Sequence, residues 1–167
     1  ILGSAFWNFV GAGVFGGGTL NAPLVNYYEH GTFLTLNHAH TSLFGAFGLL
    51  ALGLIYFCLR YRAGAEAKFD ERLGYWGFWL MNIGVVLWVV LHFFEIGWPQ
   101  LDAVYEHGFA YARSQAFYDS TRFWQWMRLP GDVVFSLGAL LMSWDFLVKL
   151  LKPTPAISGA PAVAPAE

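Results

Sequence analysis

Residues 31–59 read GTFLTLNHAHTSLFGAFGLLALGLIYFCL, a stretch free of Lys, Arg, Asp and Glu that carries His38 and His40 near its start. The hydrocarbon core of a bilayer is about 30 Å thick and an α-helix rises about 1.5 Å per residue, so roughly 20 apolar residues in a row read as a membrane span. This stretch is long enough to cross. Histidine is costly at such depth, and by default it marks a functional position.

Three further stretches carry the same signature. Ile1 to Tyr28 holds no charged residue, and Pro23 ends a first helix near Leu20. Gly74 to Phe94 supplies a third span. Leu129 to Leu151 supplies a fourth and weaker one, with Arg128, Asp132 and Asp145 towards its ends. The expected fold is an all-α integral membrane protein with four transmembrane helices in residues 1–152. The Pro/Ala-rich residues 153–167 read as a disordered tail.

Composition agrees. The chain is 57% hydrophobic and 12% charged, where a soluble domain carries roughly 25% charged residues, which argues against a soluble enzyme and a disordered protein alike. The net charge of -2, with nine Lys and Arg scattered along the chain, gives no footprint for nucleic acid. A lone Cys58 excludes a disulfide framework or a cysteine zinc cluster. The chain opens on Ile1 in apolar sequence without an initiator Met or a signal-peptide pattern, and reads as the C-terminal piece of a longer polypeptide.

Lys and Arg collect in cytoplasmic loops. The loop holding Arg60, Arg62, Lys68 and Arg72 and the end holding Lys149 and Lys152 are therefore expected on the cytoplasmic side, and Ile96 to Met127 outside. Within the first span, Gly13 and Gly17 stand at the spacing that lets membrane helices approach closely.

The histidine pair carries the chemistry. Residues two apart on a helix are rotated by about 200°, so His38 and His40 point to nearly opposite sides. They do not form a single metal site, but each can supply an axial imidazole to its own haem, with small Ala39 between them. Two hydrogen-bonded structural histidines remain the other reading. His40 lies about 30 Å of helix before Arg60, which puts the pair near the outer side of the membrane.

Three motifs, SAFWNFVGAGVFG, NAPLVNYYEHGTFLTLNHAHTSLFGAFG and WMRLPGDVVF, together resemble the C-terminal part of the catalytic subunit of bacterial nitric oxide reductases, relatives of the haem-copper oxidases. The likeness runs from Ser4 to about Leu151 and is greatest to the single-chain quinol-dependent form. It implies the C-terminal part of a twelve-helix bundle in the bacterial inner membrane, with a cytoplasmic C-terminus. It further implies that His38 ligates haem b3 and His40 ligates haem b, while the ligands of the non-haem iron and the second ligand of haem b lie in earlier helices. The partners it implies are the remainder of the polypeptide, quinol, nitric oxide and membrane lipid, and it admits a second copy of the chain as a homodimer.

Other candidates follow. Glu29 and His30 precede the pair by a little over two turns and read as contacts for haem propionates, or as neighbours of a proton or calcium site, against an ordinary solvated helix start. Asp132, after Arg128, Pro130 and Gly131, can accept a quinol proton or simply pair with Arg128. Arg113 is a weaker candidate for the same pocket or for propionates. His92, near the outer end of the third span, reads as a packing or hydrogen-bonding residue rather than a ligand. Competing classes are the cytochrome c-dependent reductase, a copper-containing oxidase, a non-catalytic dihaem anchor and a transporter bundle.

Overall fold

The computed structural model describes residues 1–64 and 67–152, with Phe15 described by its backbone alone. The tail expected at 153–167 lies outside the described residues. Those described form helices, turns and bends, with no strand among them.

Helix α1 (Leu2–Trp7) runs directly into a wide π-helical stretch, Asn8–Leu20. The chain then turns at Asn21 and Ala22 and starts α2 (Pro23–Glu29) on a proline, whose missing N–H is unpaired in any first helical turn. Gly31 makes the next turn at φ +75°. Thr32 then caps α3 (Phe33–His40), its hydroxyl accepting from the Leu34 N–H at 3.2 Å. A second π-helical stretch, Thr41–Gly48, joins α3 to α4 (Leu49–Ala63). At that junction the Thr41 hydroxyl donates to the Asn37 carbonyl at 2.9 Å and the Ser42 hydroxyl to the His38 carbonyl at 2.7 Å. These bonds supply partners where the ladder changes pitch.

Helix α5 (Arg72–His92) continues through a π turn, Phe93–Gly97, into α6 (Trp98–Ala112), which kinks at Gly108. Short helices α7 (Gln115–Ser120) and α8 (Arg122–Trp126) lead to α9 (Arg128–Leu151).

Among the described residues three helical stretches, not the expected four, are long and apolar enough to cross a membrane: Phe33–Ala63, Arg72–Ala112 and Arg122–Leu151. The first expected span is helical from Leu2 to Leu20 and ends where Pro23 placed its end, yet it is not one of the three. Six glycines together with Ser4, Asn8 and Thr19 dilute its apolar content. The third span runs on past Phe94, so much of the expected outer segment is its helical extension.

Helices α5 and α9 form the main packed pair, and small residues make the approach possible. A Cβ on Gly77 would lie 2.9 Å from the Gly138 carbonyl, and one on Gly131 would lie 3.0 Å from the Gly84 carbonyl. The glycines are seven apart on each helix and meet in antiparallel order, so the two backbones touch at both crossings. In the N-terminal stretch the contacting glycines are Gly11 and Gly16, not Gly13 and Gly17. A Cβ on Gly11 would run into Thr41 and one on Gly16 into His38, whereas Gly13 and Gly17 face only their own helix. The π-helical pitch accounts for the change, since it brings residues five apart, rather than four, onto one face.

Two apolar cores result. One joins Trp7, Ala46, Leu49, Met81 and Val85; the other joins Ile96, Ala103, Val104, Ala112 and Phe117. Trp7 is fixed further by donating its indole N–H to Asn82 at 2.9 Å.

Candidate functional site

His38 and His40 lie at the end of α3, just before the π-helical stretch. Their rings face different cavities. His38 lines one with Gly11, Gly16, Asn37 and Thr41, on the side of the N-terminal stretch. His40 lines another, of about 190 Å³, with Phe44, Trp88, Arg128 and Asp132. The 200° rotation between residues two apart therefore survives in the folded chain.

Both imidazoles are held through the same nitrogen. Nδ1 of His38 donates to the Gly11 carbonyl at 3.0 Å, and Nδ1 of His40 donates to the Leu36 carbonyl at 2.8 Å. A ring that donates from Nδ1 keeps the Nε2 lone pair for a metal, the arrangement that fixes tautomer and orientation in ligating histidines. Gly16 is what lets the His38 ring fit, because any side chain there would occupy the ring's place.

Buried polar atoms without partners gather on the same part of the chain. Asn37 has neither amide atom bonded, and Nε2 of His92 and Nε1 of Trp88 are likewise unpaired. A buried unpaired polar group is expensive unless something satisfies it. His92 is a packing residue in one sense: it is 1% exposed, its Nδ1 donates to the Trp88 carbonyl at 2.7 Å, and it stacks on Phe33.

The α2–α3 turn gathers a second group. Glu29 is buried, not solvated; its carboxylate accepts from Asn26 at 3.1 Å and from the Thr35 hydroxyl at 2.9 Å. His30 is exposed, and its carbonyl accepts from Arg113 Nη2 at 2.7 Å. The Arg113 guanidinium also sits over the Phe109 ring and against Gly31. Glu29, His30 and Arg113 thus share one turn, and Arg113 does not line the cavity of Asp132. Sequence reasoning missed Gln100, which is fully buried and clasps this region. Its carbonyl accepts from the Phe33 N–H at 2.8 Å, and its amide donates to the Ala112 carbonyl at 2.9 Å.

Asp132 pairs with Arg128 at 2.9 Å, both partly exposed. The same two residues line the cavity of His40, so pairing and placement beside the histidine hold together.

At the far end of the Phe33–Ala63 helix, Tyr56 donates to Asp145, and Asp145 pairs with Lys149. Lys149 was expected among the loop charges, but it is buried, with its ammonium over the Tyr56 and Phe69 rings. Arg62 closes this end by donating to the Leu150 carbonyl at 2.8 Å and the Lys152 carbonyl at 3.1 Å. Beyond the spans, Gln115 and Arg122 hold the Asp119 carboxyl below its usual range, the Gln115 hydrogen bond contributing most. No group of three or more His, Cys, Asp or Glu able to hold a metal ion occurs among the described residues.

A membrane-embedded helix presenting two such imidazoles defines the class. Residues 1–134 match the family model described as Cytochrome C and Quinol oxidase polypeptide I, and the chain belongs to that family, within the haem-copper oxidase superfamily of membrane oxidoreductases. It is a multi-pass membrane protein. It is 31% identical over 168 residues to a nitric oxide reductase subunit of Stutzerimonas stutzeri, covering 98% of this chain and 34% of that protein. It is 30% identical over 167 residues to cytochrome c oxidase subunit 1 of Rhodobacter capsulatus, covering 95% of this chain and 30% of that protein. The chain spans about a third of the length of these relatives.

Proposed function

We propose that the chain forms part of a membrane nitric oxide reductase of the bacterial inner membrane, with a cytoplasmic C-terminus, which reduces two NO to N2O and water with electrons from quinol. In this reading His38 holds haem b3 and His40 holds haem b. The observation that carries it is the pair of imidazoles, each donating from Nδ1 to a carbonyl and each lining a separate cavity on one helix.

The residues present fit two haems. Both rings keep Nε2 available, Gly16 leaves room beside His38, and the unpaired atoms of Asn37, Trp88 and His92 are buried groups awaiting partners. When bound, haem b3 and a non-haem iron held by the remainder of the polypeptide would supply the redox chemistry that joins two NO with two electrons and two protons. The chain's own residues do the following. Gly11 and Leu36 fix the tautomers of His38 and His40 through their carbonyls. Arg113 brings a cation to the α2–α3 turn, where propionate carboxylates would be met. Asp132 keeps one oxygen on Arg128 and offers the other to a quinol hydroxyl proton in the cavity of His40.

A second reading, a dioxygen-reducing oxidase with copper in place of non-haem iron, draws on the near-equal likeness to the Rhodobacter capsulatus protein. Anaerobic NO uptake by the full-length protein in membranes, with a reduced quinol analogue as sole donor, separates the two. Uptake that is abolished in His38→Ala supports the reductase, and His40→Ala should remove the low-spin haem spectrum. Oxygen uptake in a parallel aerobic assay with the same donor, without NO uptake in the anaerobic one, selects the oxidase. Unchanged turnover in His38→Ala rejects the assignment of that residue.

A further inference from the structure

The two histidines are restrained differently, and the difference points to a residue outside the ligand pair. His38 is held by a carbonyl from another helical stretch, Gly11, 27 residues away. Among the described residues the His40 ring hydrogen-bonds to the carbonyl of Leu36, on its own helix. A bond to the preceding turn fixes one edge of an imidazole but leaves its plane to be set by whatever covers its face. What covers it is Trp88, with ring centroids 3.8 Å apart and planes 14° from parallel.

Trp88 is itself immobilised. It is buried, it stacks on His92 at 4.4 Å and 21°, and His92 stacks on Phe33 at 5.7 Å and 5°. The contact continues into α9, where a Cβ on Gly131 would lie 3.0 Å from the Trp88 backbone nitrogen. The α5–α9 crossing and the start of α3 therefore converge on one indole. Because core side chains are close-packed and change arrangement only in discrete steps, the ring plane of His40 is determined by this stack.

We propose that Trp88, backed by His92, is a positioning residue that sets the rotation of the His40 imidazole about its Nε2 axis, and with it the orientation of the ligand plane on the low-spin haem. The proposal rests on the reading that His40 is a haem ligand. The orientation of an axial imidazole governs the splitting of the iron d orbitals, and outer contacts that orient a ligand tune the metal it binds.

The test is electron paramagnetic resonance of the oxidised full-length protein, with a redox titration of the same samples. Trp88→Leu should retain low-spin haem at wild-type stoichiometry while its largest g value moves beyond the line width and its midpoint potential shifts. Trp88→Phe, which restores a flat ring, should return both towards wild type. A role in packing alone would lower haem content without moving either signature. Low-spin haem with an unmoved g value and potential in Trp88→Leu overturns the proposal. Should that variant fail to assemble, His92→Leu, which removes the backing ring and its bond to the Trp88 carbonyl but leaves the indole in place, is judged by the same two readings. His40→Ala keeps the reading and the inference apart: a low-spin signal that persists there rejects the ligand assignment, whereas an unmoved signal in Trp88→Leu rejects only the positioning role.

Discussion

Near the Phe33 end of the helix Phe33–Ala63, Asn37 is buried with both amide atoms unbonded, and Trp88 and His92, stacked against His40 and Phe33 of the same helix, each carry an unpaired ring nitrogen. Towards the Ala63 end, Tyr56, Asp145 and Lys149 are bonded to one another, and two aromatic rings cover the ammonium. Both regions bury polar groups in an apolar setting, where an unpaired group is costly. The end with satisfied groups is complete within this chain. The end with unpaired atoms carries His38 and His40, and in the proposed reading those atoms meet bound groups that the described residues do not supply.

The comparison breaks most sharply at Asp145. Asp145→Ala leaves Lys149 buried without its carboxylate, and removing one partner of a buried pair costs about 3–5 kcal/mol. Thermal unfolding of the full-length protein in detergent should show it. The double variant Asp145→Leu/Lys149→Met should lose far less, because well-packed apolar residues replace such pairs at little cost and only the Tyr56 hydroxyl is left without its partners. If the double variant is as damaged as the single one, the cluster does more than hold α4 to α9.

A smaller loss is expected at the clasp between the start of α3 and the end of α6. Gln100→Leu strands the buried Ala112 carbonyl, at about 1–3 kcal/mol for a buried unpaired group, and the part-buried Phe33 N–H, which water can serve. Hydrogen exchange should rise first at the start of α3. Protection there that stays at the wild-type level would mean that another group anchors the turn beneath His38 and His40.

The long-range character of that clasp explains which parts of the molecule were legible in the sequence. The spans expected at 31–59 and 129–151, each contained in or overlapping a longer helical stretch of the structure, and the opposed directions of His38 and His40 follow from apolar runs and helical rotation, which are local properties. Asp145 and Lys149 stand four apart and signal a helical pair, but nothing local names Tyr56, 89 residues from Asp145, as the third member. The π-helical stretches were equally hidden, and because they reset which residues share a face, the glycines that pack are Gly11 and Gly16. The repeats at Gly77 and Gly84 and at Gly131 and Gly138 were a readable sign of the α5–α9 crossing. The exposed, dilute N-terminal helix resists assignment as a span because its glycines serve packing at the expense of apolarity.

Asn37→Leu sharpens the contrast from the other side. Replacing an unbonded buried amide by an apolar group of similar shape removes a penalty rather than an interaction, so the unfolding temperature of the haem-free protein should stay at or above that of the haem-free wild type. Haem retention should fall if the amide serves a bound group. A loss of stability as large as that of Asp145→Ala would show that Asn37 is already satisfied, and the distinction between the two ends would fail.

The smallest effect separates buried from exposed pairing. Arg122 and Asp119 form an exposed pair between α7 and α8, with Gln115 bonded to the same carboxylate. The Asp119 carboxyl is held below its usual value of 3.8. A depressed carboxylate contributes stability that is present above its ordinary pKa and lost as pH falls through the lowered one. Protection of α7 from proteolysis should therefore be steady at neutral pH and weaken only in the acid range below the ordinary value, and Asp119→Asn should abolish that pH dependence. Raising the salt should weaken the Arg122–Asp119 contribution while leaving the Asp145–Lys149 pair unaffected, because screening acts on charges that solvent can reach. Equal salt sensitivity at both pairs would mean that water reaches Lys149, and the sealed character of that end would have to be abandoned.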